Sequence, residues 1–337
     1  MGQLPCGFKV RCLCLLILFT PIALTGCSEP RPLSALDYAD RLARVLQEVP
    51  IDPSPLPRQD YPRQRDLQVT FETHAINLLE FLALEDCELQ MVIAERNSSL
   101  GRLAAASQRL VHELRFLKSG GECLTGLDDQ ELALKLRQVL KIKRRELAGR
   151  IWLATLGGPE FSSFWRGRGS ESDPATARTL RLLRQDIEGW LSGEYTVDAK
   201  VLEQRLQEIS MGNGGQLLVG WRDLLETLPV ATQVLETRHQ RRPLCFPEMR
   251  SPEAKTFYQV VQTGFLSGLQ QDVARLNART YELFLEVQAI EELLQPAMTS
   301  SYDQWRVYRR SLVEDTRSVI RSHVGSLEPL LQQCGFL

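Results

Sequence analysis

The sequence predicts an all-α protein, an elongated helical bundle that ends in a long antiparallel helical hairpin. Three observations carry this. Aromatics make up only 7% of the 337 residues, while Leu, Ala, Glu, Gln and Arg dominate, a mixture that suits helices better than a sheet of β-branched and aromatic residues. Apolar residues recur at three- and four-residue steps over most of the chain, and no stretch alternates with the period of two that a strand needs. With 43% apolar and 24% charged residues, the chain belongs with ordinary globular proteins, and disordered, collagen-like and multi-span membrane classes are excluded.

Residues 1–26 read as a lipoprotein signal peptide. Lys9 and Arg11 precede a nearly uncharged run from Cys12 to Leu24, the length of a secretory core and short of the roughly 20 apolar residues of a spanning helix. The run ends in Leu24-Thr25-Gly26-Cys27, which resembles the lipobox of bacterial lipoproteins. That resemblance implies diacylation of the Cys27 thiol, cleavage before it, and acylation of the new amino group, with palmitate as a labelled chain. Each buried methylene contributes about 0.8 kcal/mol, so three chains anchor firmly where one binds marginally. Ser28 stands where lipoproteins retained in the inner membrane carry Asp, which implies the periplasmic face of a Gram-negative outer membrane. A signal peptide cut elsewhere, or a buried N-terminal helix, is the alternative.

Lys9 and Arg11 leave with the leader and no acidic residue does, which takes the 40 basic residues to 38 against 42 acidic ones. No field suited to nucleic acid follows. Cys6, Cys12 and Cys14 also leave, and Cys87, Cys123, Cys245 and Cys334 remain in what would be an oxidising compartment. Four cysteines allow three pairings. Cys87 with Cys123 and Cys245 with Cys334 is favoured because sequence-local pairs close more readily; unpaired buried thiols are the alternative. None of the spacings is that of a redox pair or a zinc site.

Residues 27–66 form a lipidated tether and a proline-rich strap with one short helix, and residues 67–337 the helical bundle. Ser34 and Asp37 start a helix to about Val49. Prolines at 50, 53, 55, 57 and 62 then enforce an extended stretch, since each fixes φ and removes a donor. From Leu67 to Leu117 two helical stripes, Ile76, Leu79, Leu82, Leu89 and Ile93, then Leu100, Leu103, Leu110, Leu114 and Leu117, meet at a break at Asn97-Ser98-Ser99 or bend there within one helix. Ala104-Ala105-Ala106 would allow close helix approach. Residues 118–126 read as a loop, Asp128 and Asp129 open a helix to about Leu156, and Gly157-Gly158-Pro159 stops it. Phe161, Phe164 and Trp165 form an apolar knot before the Gly/Ser-rich residues 167–172, and Asp173-Pro174 opens the next helix. Helices near 198–210 and 216–239 flank Gly212-Asn213-Gly214-Gly215, with Pro229 as a kink.

From Ala254 to Leu294 apolar residues follow in eleven steps over 40 residues, close to the 3.6 of a straight helix, which predicts a rod of about 60 Å. Ser251-Pro252 opens it and Pro296 ends it. Ser301 and Gln304 cap a returning helix through Trp305, Tyr308, Leu312, Val319 and His323.

Signals for chemistry are sparse. Glu236-Thr-Arg-His239 is the one Glu-x-x-His match, where a di-iron bundle needs two with further carboxylates. No zinc motif, phosphate loop or serine-nucleophile elbow is present, so no cofactor and no metal is expected. His74, His112 and His323 are isolated, and His323 falls on an apolar stripe where a hydrogen-bonded core imidazole is expected. Basic runs at 141–145 and 238–242 suit solvated helix faces better than lipid phosphates.

Cys87-Glu88-Leu89, the run Glu95-Arg96-Asn97-Ser98-Ser99-Leu100-Gly101, Asp60-Tyr61-Pro62 leading to Leu67, and Ser107-Gln108-Arg109-Leu110 resemble an uncharacterised Gram-negative lipoprotein family, domain of unknown function 3080. The likeness covers most of residues 27–337 and implies no known activity. It makes Glu95, Arg96, Asn97, Ser98, Leu100 and Gly101 the segment for a shared role, with hydrogen bonding of a helix bend favoured over a ligand site. The functional expectation is a non-catalytic periplasmic lipoprotein held on the membrane by its N-terminal lipid and binding or scaffolding an envelope protein. The alternatives are a lipid or hydrophobic-ligand carrier, with Phe161, Phe164 and Trp165 at its mouth, and an enzyme whose site is assembled from distant helices.

Overall fold

Ser34 and Asp37 cap each other in the computed structural model, which describes residues 34–71, 84, 87–167, 174–246 and 250–337. The Ser34 hydroxyl accepts from the Asp37 amide at 3.1 Å and the Asp37 carboxylate from the Ser34 amide at 3.4 Å. Helix α1 (Ala35–Leu46) follows, and Gln47 ends it with φ 56°. The leader, Cys27, the tether to Leu33, His74, Ile76, Leu79, Leu82 and residues 168–173 lie outside the described residues.

Residues 48–63 are extended, as their prolines require, and a 3₁₀ turn at Gln64–Leu67 closes the strap. Helices α2 (Glu88–Asn97), α3 (Ser99–Leu103) and α4 (Ala106–Cys123) come next. The break at Ser98 is present, but Ala104 and Ala105 are a second break, not a close-packed helix surface. Leu100 and Leu103 are 84% and 85% exposed instead of joining the core stripe. A five-residue helix with a break on either side need not keep the phase of its neighbours, so the spacing there does not report the buried face.

The expected loop at 118–126 is a second correction, because α4 continues to Cys123. Gly120 lies under Leu140, whose side chain would come within 2.9 Å of a Cβ there. Tertiary packing thus overrides the cost of glycine in a helix. Asp129 caps α5 (Gln130–Ala154) by accepting from the amides of Glu131 and Leu132. Then come α6 (Pro159–Arg166), α7 (Pro174–Ser192), α8 (Ala199–Ser210) and α9 (Gly214–Arg241), which takes in Gly214 and Gly215 and carries Pro229.

Ser251 caps α10 (Pro252–Val260), a π-helical segment runs from Val261 to Leu269, and α11 (Gln270–Leu293) completes the rod. The expected uninterrupted α-helix therefore widens in its first half. Gly264 meets the ring of Tyr38 there, where a Cβ would stand 2.6 Å away, and such local widening leaves the three- and four-residue apolar spacing intact. The last helix, α12 (Ser300–Gln333), is capped at Thr299 without a side-chain hydrogen bond, so Ser301 lies inside the helix instead of forming a capping box with Gln304. No strand occurs among the described residues.

Two cores result. The first gathers Tyr61 and Leu67 of the strap, α2, α4 to α8, the start of α9, the second half of α11 and the first half of α12. The second gathers α1, the middle of α9, Leu244, α10, the π segment and the end of α12. Helices α9 and α12 pack on each other through both, while α11 packs mainly on α7. The favoured cysteine pairing is present: Cys87 bonds Cys123 in the first core and Cys245 bonds Cys334 in the second.

Candidate functional site

Proline-rich chain cannot satisfy its own carbonyls, so the strap needs partners from the bundle. Trp152 and Arg166 supply them, while the strap's own Tyr61 and Gln64 side chains donate to bundle carbonyls. The Tyr61 hydroxyl donates to the Leu156 carbonyl at 2.5 Å, Gln64 donates to the Gly157 carbonyl, and the Trp152 indole donates to the Leu67 carbonyl at 2.8 Å. Arg166 donates to the carbonyls of Tyr61 and Pro62, each at 2.9 Å.

Below the strap lies an aromatic floor. The Tyr61 ring stands edge-on to Trp305 at 4.8 Å, and Trp165 meets Trp305 at 4.7 Å and Phe284 at 5.4 Å. Under these rings the guanidinium of Arg309 makes two 2.9 Å bonds to the Glu291 carboxylate, which also accepts from the Tyr302 hydroxyl at 2.7 Å. Arg309 is 2% exposed and Glu291 0%, and the guanidinium lies 5.1 to 5.2 Å from the Trp165, Phe284 and Trp305 rings. Burial works against the charge on Arg309, but the Glu291 carboxylate outweighs it and holds the pKa above its ordinary value. Burial, with Glu291 second, pushes the phenols of Tyr61 and Tyr302 up, so both stay protonated donors. This closed group is structural: every charge in it already has its partner.

Between the strap and the helices a cleft of about 600 Å³ stays open, lined by strap residues 58–63 and Asp66, the end of α6, the first turns of α9, and Trp305. The α6–α9 junction is tight. A Cβ on Gly214 would come within 2.4 Å of the Phe164 ring, and one on Gly215 within 2.2 Å of the Trp165 carbonyl oxygen. The glycines at 212–215 therefore let two helices touch. Arg58 pairs with Asp60 at 2.6 Å and Arg65 with Asp66 at 3.5 Å. Arg222 donates to the Tyr308 hydroxyl at 2.7 Å, Arg166 to the two strap carbonyls, and Arg63 is exposed. None of these three makes an ion pair among the described residues. The buried indole N–H of Trp165 and the Nε of Arg222 have no hydrogen-bond partner there either.

The chain matches the family model described as Protein of unknown function (DUF3080) over residues 35–337. It belongs to this family. No curated protein and no solved structure matches it. In this DUF3080 chain the segments that carry the likeness make internal bonds. The strap residues bind as above, and Ser107 and Gln108 both donate to Glu203, at 2.7 and 2.6 Å. At the α2–α3 bend, the Ser98 hydroxyl accepts from the Gly101 amide at 3.0 Å and donates to the Glu95 carbonyl at 2.7 Å, while Arg96 donates to the Gly101 carbonyl at 2.9 Å. Glu95 pairs with Arg115. A Cβ on Gly101 would stand 2.2 Å from the Glu95 carbonyl oxygen, so only glycine lets the chain fold back there. Asn97 ends α2, and Leu100 points to solvent.

Phe161 and Phe164 are wholly buried, so of the three residues expected at a groove mouth only Trp165 reaches the cleft. Glu236 and His239 are both exposed, and no metal-sized group of His, Cys, Asp and Glu occurs among the described residues. His323 is the buried, hydrogen-bonded imidazole its stripe implies, between Tyr38 and Thr232. The second basic run departs from the solvated reading at Arg238, which is 1% exposed and donates to the carbonyls of Arg242 and Pro243. Arg309, at the centre of the buried group, is among the residues that the sequence does not single out. It lies four residues after Trp305 and three before Leu312 on the apolar stripe, and an arginine in that register is the available signal.

Proposed function

We propose that this DUF3080 member is a lipid-anchored protein of the periplasmic face of the outer membrane that acts by binding or scaffolding in the envelope, without catalysis. The observation that carries the reading is Leu24-Thr25-Gly26-Cys27 at the end of a short apolar run behind Lys9 and Arg11. The four cysteines beyond Cys27 support it, since all are joined in two disulfides, the bonds of an oxidising compartment. The tether supports it too. Residues 28–34 reach at most about 25 Å when extended, and α1 is packed into the second core through Tyr38 and Leu42. An acylated Cys27 would hold the bundle close to the bilayer surface. Among the described residues no helix is long and apolar enough to cross a membrane.

Cys27→Ser should abolish metabolic labelling with palmitate and release the chain from outer-membrane fractions, and continued labelling would overturn the reading. A carrier of hydrophobic ligands is the second reading, supported by the cleft beneath the strap. Phospholipid copurifying with delipidated protein would favour it, whereas crosslinks to one envelope protein would favour the scaffold.

A further inference from the structure

We infer that the end of the second core where α1, α9 and α12 finish and α10 begins is the face that rests on the bilayer, its exposed apolar side chains entering the headgroup layer and its free cations meeting anionic phosphates. The inference rests on the reading of Cys27 as acylated and adds an orientation to it.

Four helix ends meet there and are tied together. Glu48, just past α1, pairs with Arg241 at the end of α9 at 2.8 Å. Arg238 of α9 pairs with Glu253 in the first turn of α10 at 3.4 Å. Cys245 is bonded to Cys334 at the end of α12, the Leu244 amide donates to the Gln333 side-chain oxygen at 2.8 Å, and Arg250 donates to the Cys334 carbonyl at 3.0 Å. A covalent bond and two ion pairs therefore fix what this end presents.

It presents large apolar groups to water. Val49 is 84% exposed, Phe246 64% and Leu337 72%, and they follow Glu48, Cys245 and Cys334 closely in the chain. Gly335, at φ 62°, turns Phe336 back to stack on Tyr258 at 4.3 Å and leaves Leu337 outside. Scattered exposed apolar residues need no explanation, but three on one tied end, set among cations, match an interface that is apolar within and anionic at its surface. Arg242, Arg250 and Lys255 are exposed and make no ion pair among the described residues. Against them stand Glu48 and Glu253, already paired, and the terminal carboxylate. A second copy docked through this face would set the same cations against one another, whereas an anionic lipid surface complements them.

Chain length permits the pose. Helix α1 runs alongside α9 toward this end, from Tyr38, which shares His323 with Thr232, to Glu48 on Arg241. Its 12 residues place Ser34 about 18 Å from the end, and residues 28–34 reach about 25 Å when extended.

The test is photocrosslinking of the full acylated chain in vesicles of phosphatidylglycerol and phosphatidylcholine. One chain carries Phe246→p-benzoylphenylalanine. The controls carry the same substitution at Leu100 or Leu134, exposed residues of α3 and α5, neither of which contributes to the second core. Mass spectrometry should find a lipid adduct at position 246, with about fivefold less or lower yield at the controls. Omitting phosphatidylglycerol, or adding Arg242→Gln at an exposed side chain, should lower the yield about two- to fivefold with unchanged circular dichroism. No lipid adduct at 246, equal yields at the controls, an adduct to a second copy of the chain in place of lipid, or a yield indifferent to both charge changes would each overturn the face. Palmitate labelling is scored on the same chain. A labelled chain without the adduct overturns the face alone, and an unlabelled one overturns the anchor and the face with it.

Discussion

Two deeply buried polar groups, one in each core, are accommodated by opposite means. In the first, the Arg309 guanidinium meets the Glu291 carboxylate across two 2.9 Å bonds. In the second, the polar residue at the centre stays neutral. His323 is 0% exposed, with Tyr38 hydroxyl and Thr232 hydroxyl 3.2 and 3.1 Å from its two ring nitrogens, and burial pulls its pKa down to about 3. The difference teaches where each core is vulnerable: the charged pair to losing one partner, the neutral imidazole to gaining a proton.

The largest effect should come from breaking the charged pair. Arg309→Met leaves Glu291 as an unpaired buried carboxylate and should lower unfolding free energy by about 3–5 kcal/mol in urea titration. Glu291→Met combined with Arg309→Met should recover most of it, since no lone charge remains buried. A double variant no more stable than the single one would show that the pair itself, and not the orphaned charge, stabilises the first core.

Next comes Gly101→Ala at the α2–α3 bend. Its methyl group would meet backbone carbonyls that cannot swing away, and thermal unfolding should show a loss of about 1–3 kcal/mol.

Acid tests the second core. A buried histidine with a lowered pKa takes up its proton on unfolding, so its contribution is complete above its ordinary 6.5 and lost as the pH falls toward 3. The parent should therefore lose stability in that window with a slope of up to about 1.4 kcal/mol per pH unit from this group. His323→Gln should flatten the slope relative to the parent. Identical slopes would mean that carboxylates alone set the acid limit.

The smallest change should follow Leu100→Ser with Leu103→Ser, about 0.5 kcal/mol or less, because both side chains already face solvent. A large loss would return α3 to the core stripe where its spacing first placed it.

Much of this was legible in the chain. Ser34 with Asp37, Asp129 and Ser251 cap helices where their residue types say they should, because a cap depends on a few neighbouring backbone groups. The Ser98 break and the hydrogen-bonded core role of His323 were equally local inferences. Gly120 misled, since its cost to a helix is intrinsic while the Leu140 side chain that makes it fit lies twenty residues away. The cleft was less legible still. Arg63, Arg166 and Arg222 belong to three separate elements, and no spacing along the chain announces that a strap brings them together.

Sequence alone determined the helical class, most caps and the proline strap, for each of these follows from periodicity or from residues within one turn of each other. Tertiary structure alone decided which faces are buried, where the long rod widens to admit Tyr38, and that Arg309 meets Glu291 under Trp165. Those outcomes depend on side-chain volumes and charges meeting across long chain separations, which no local pattern encodes.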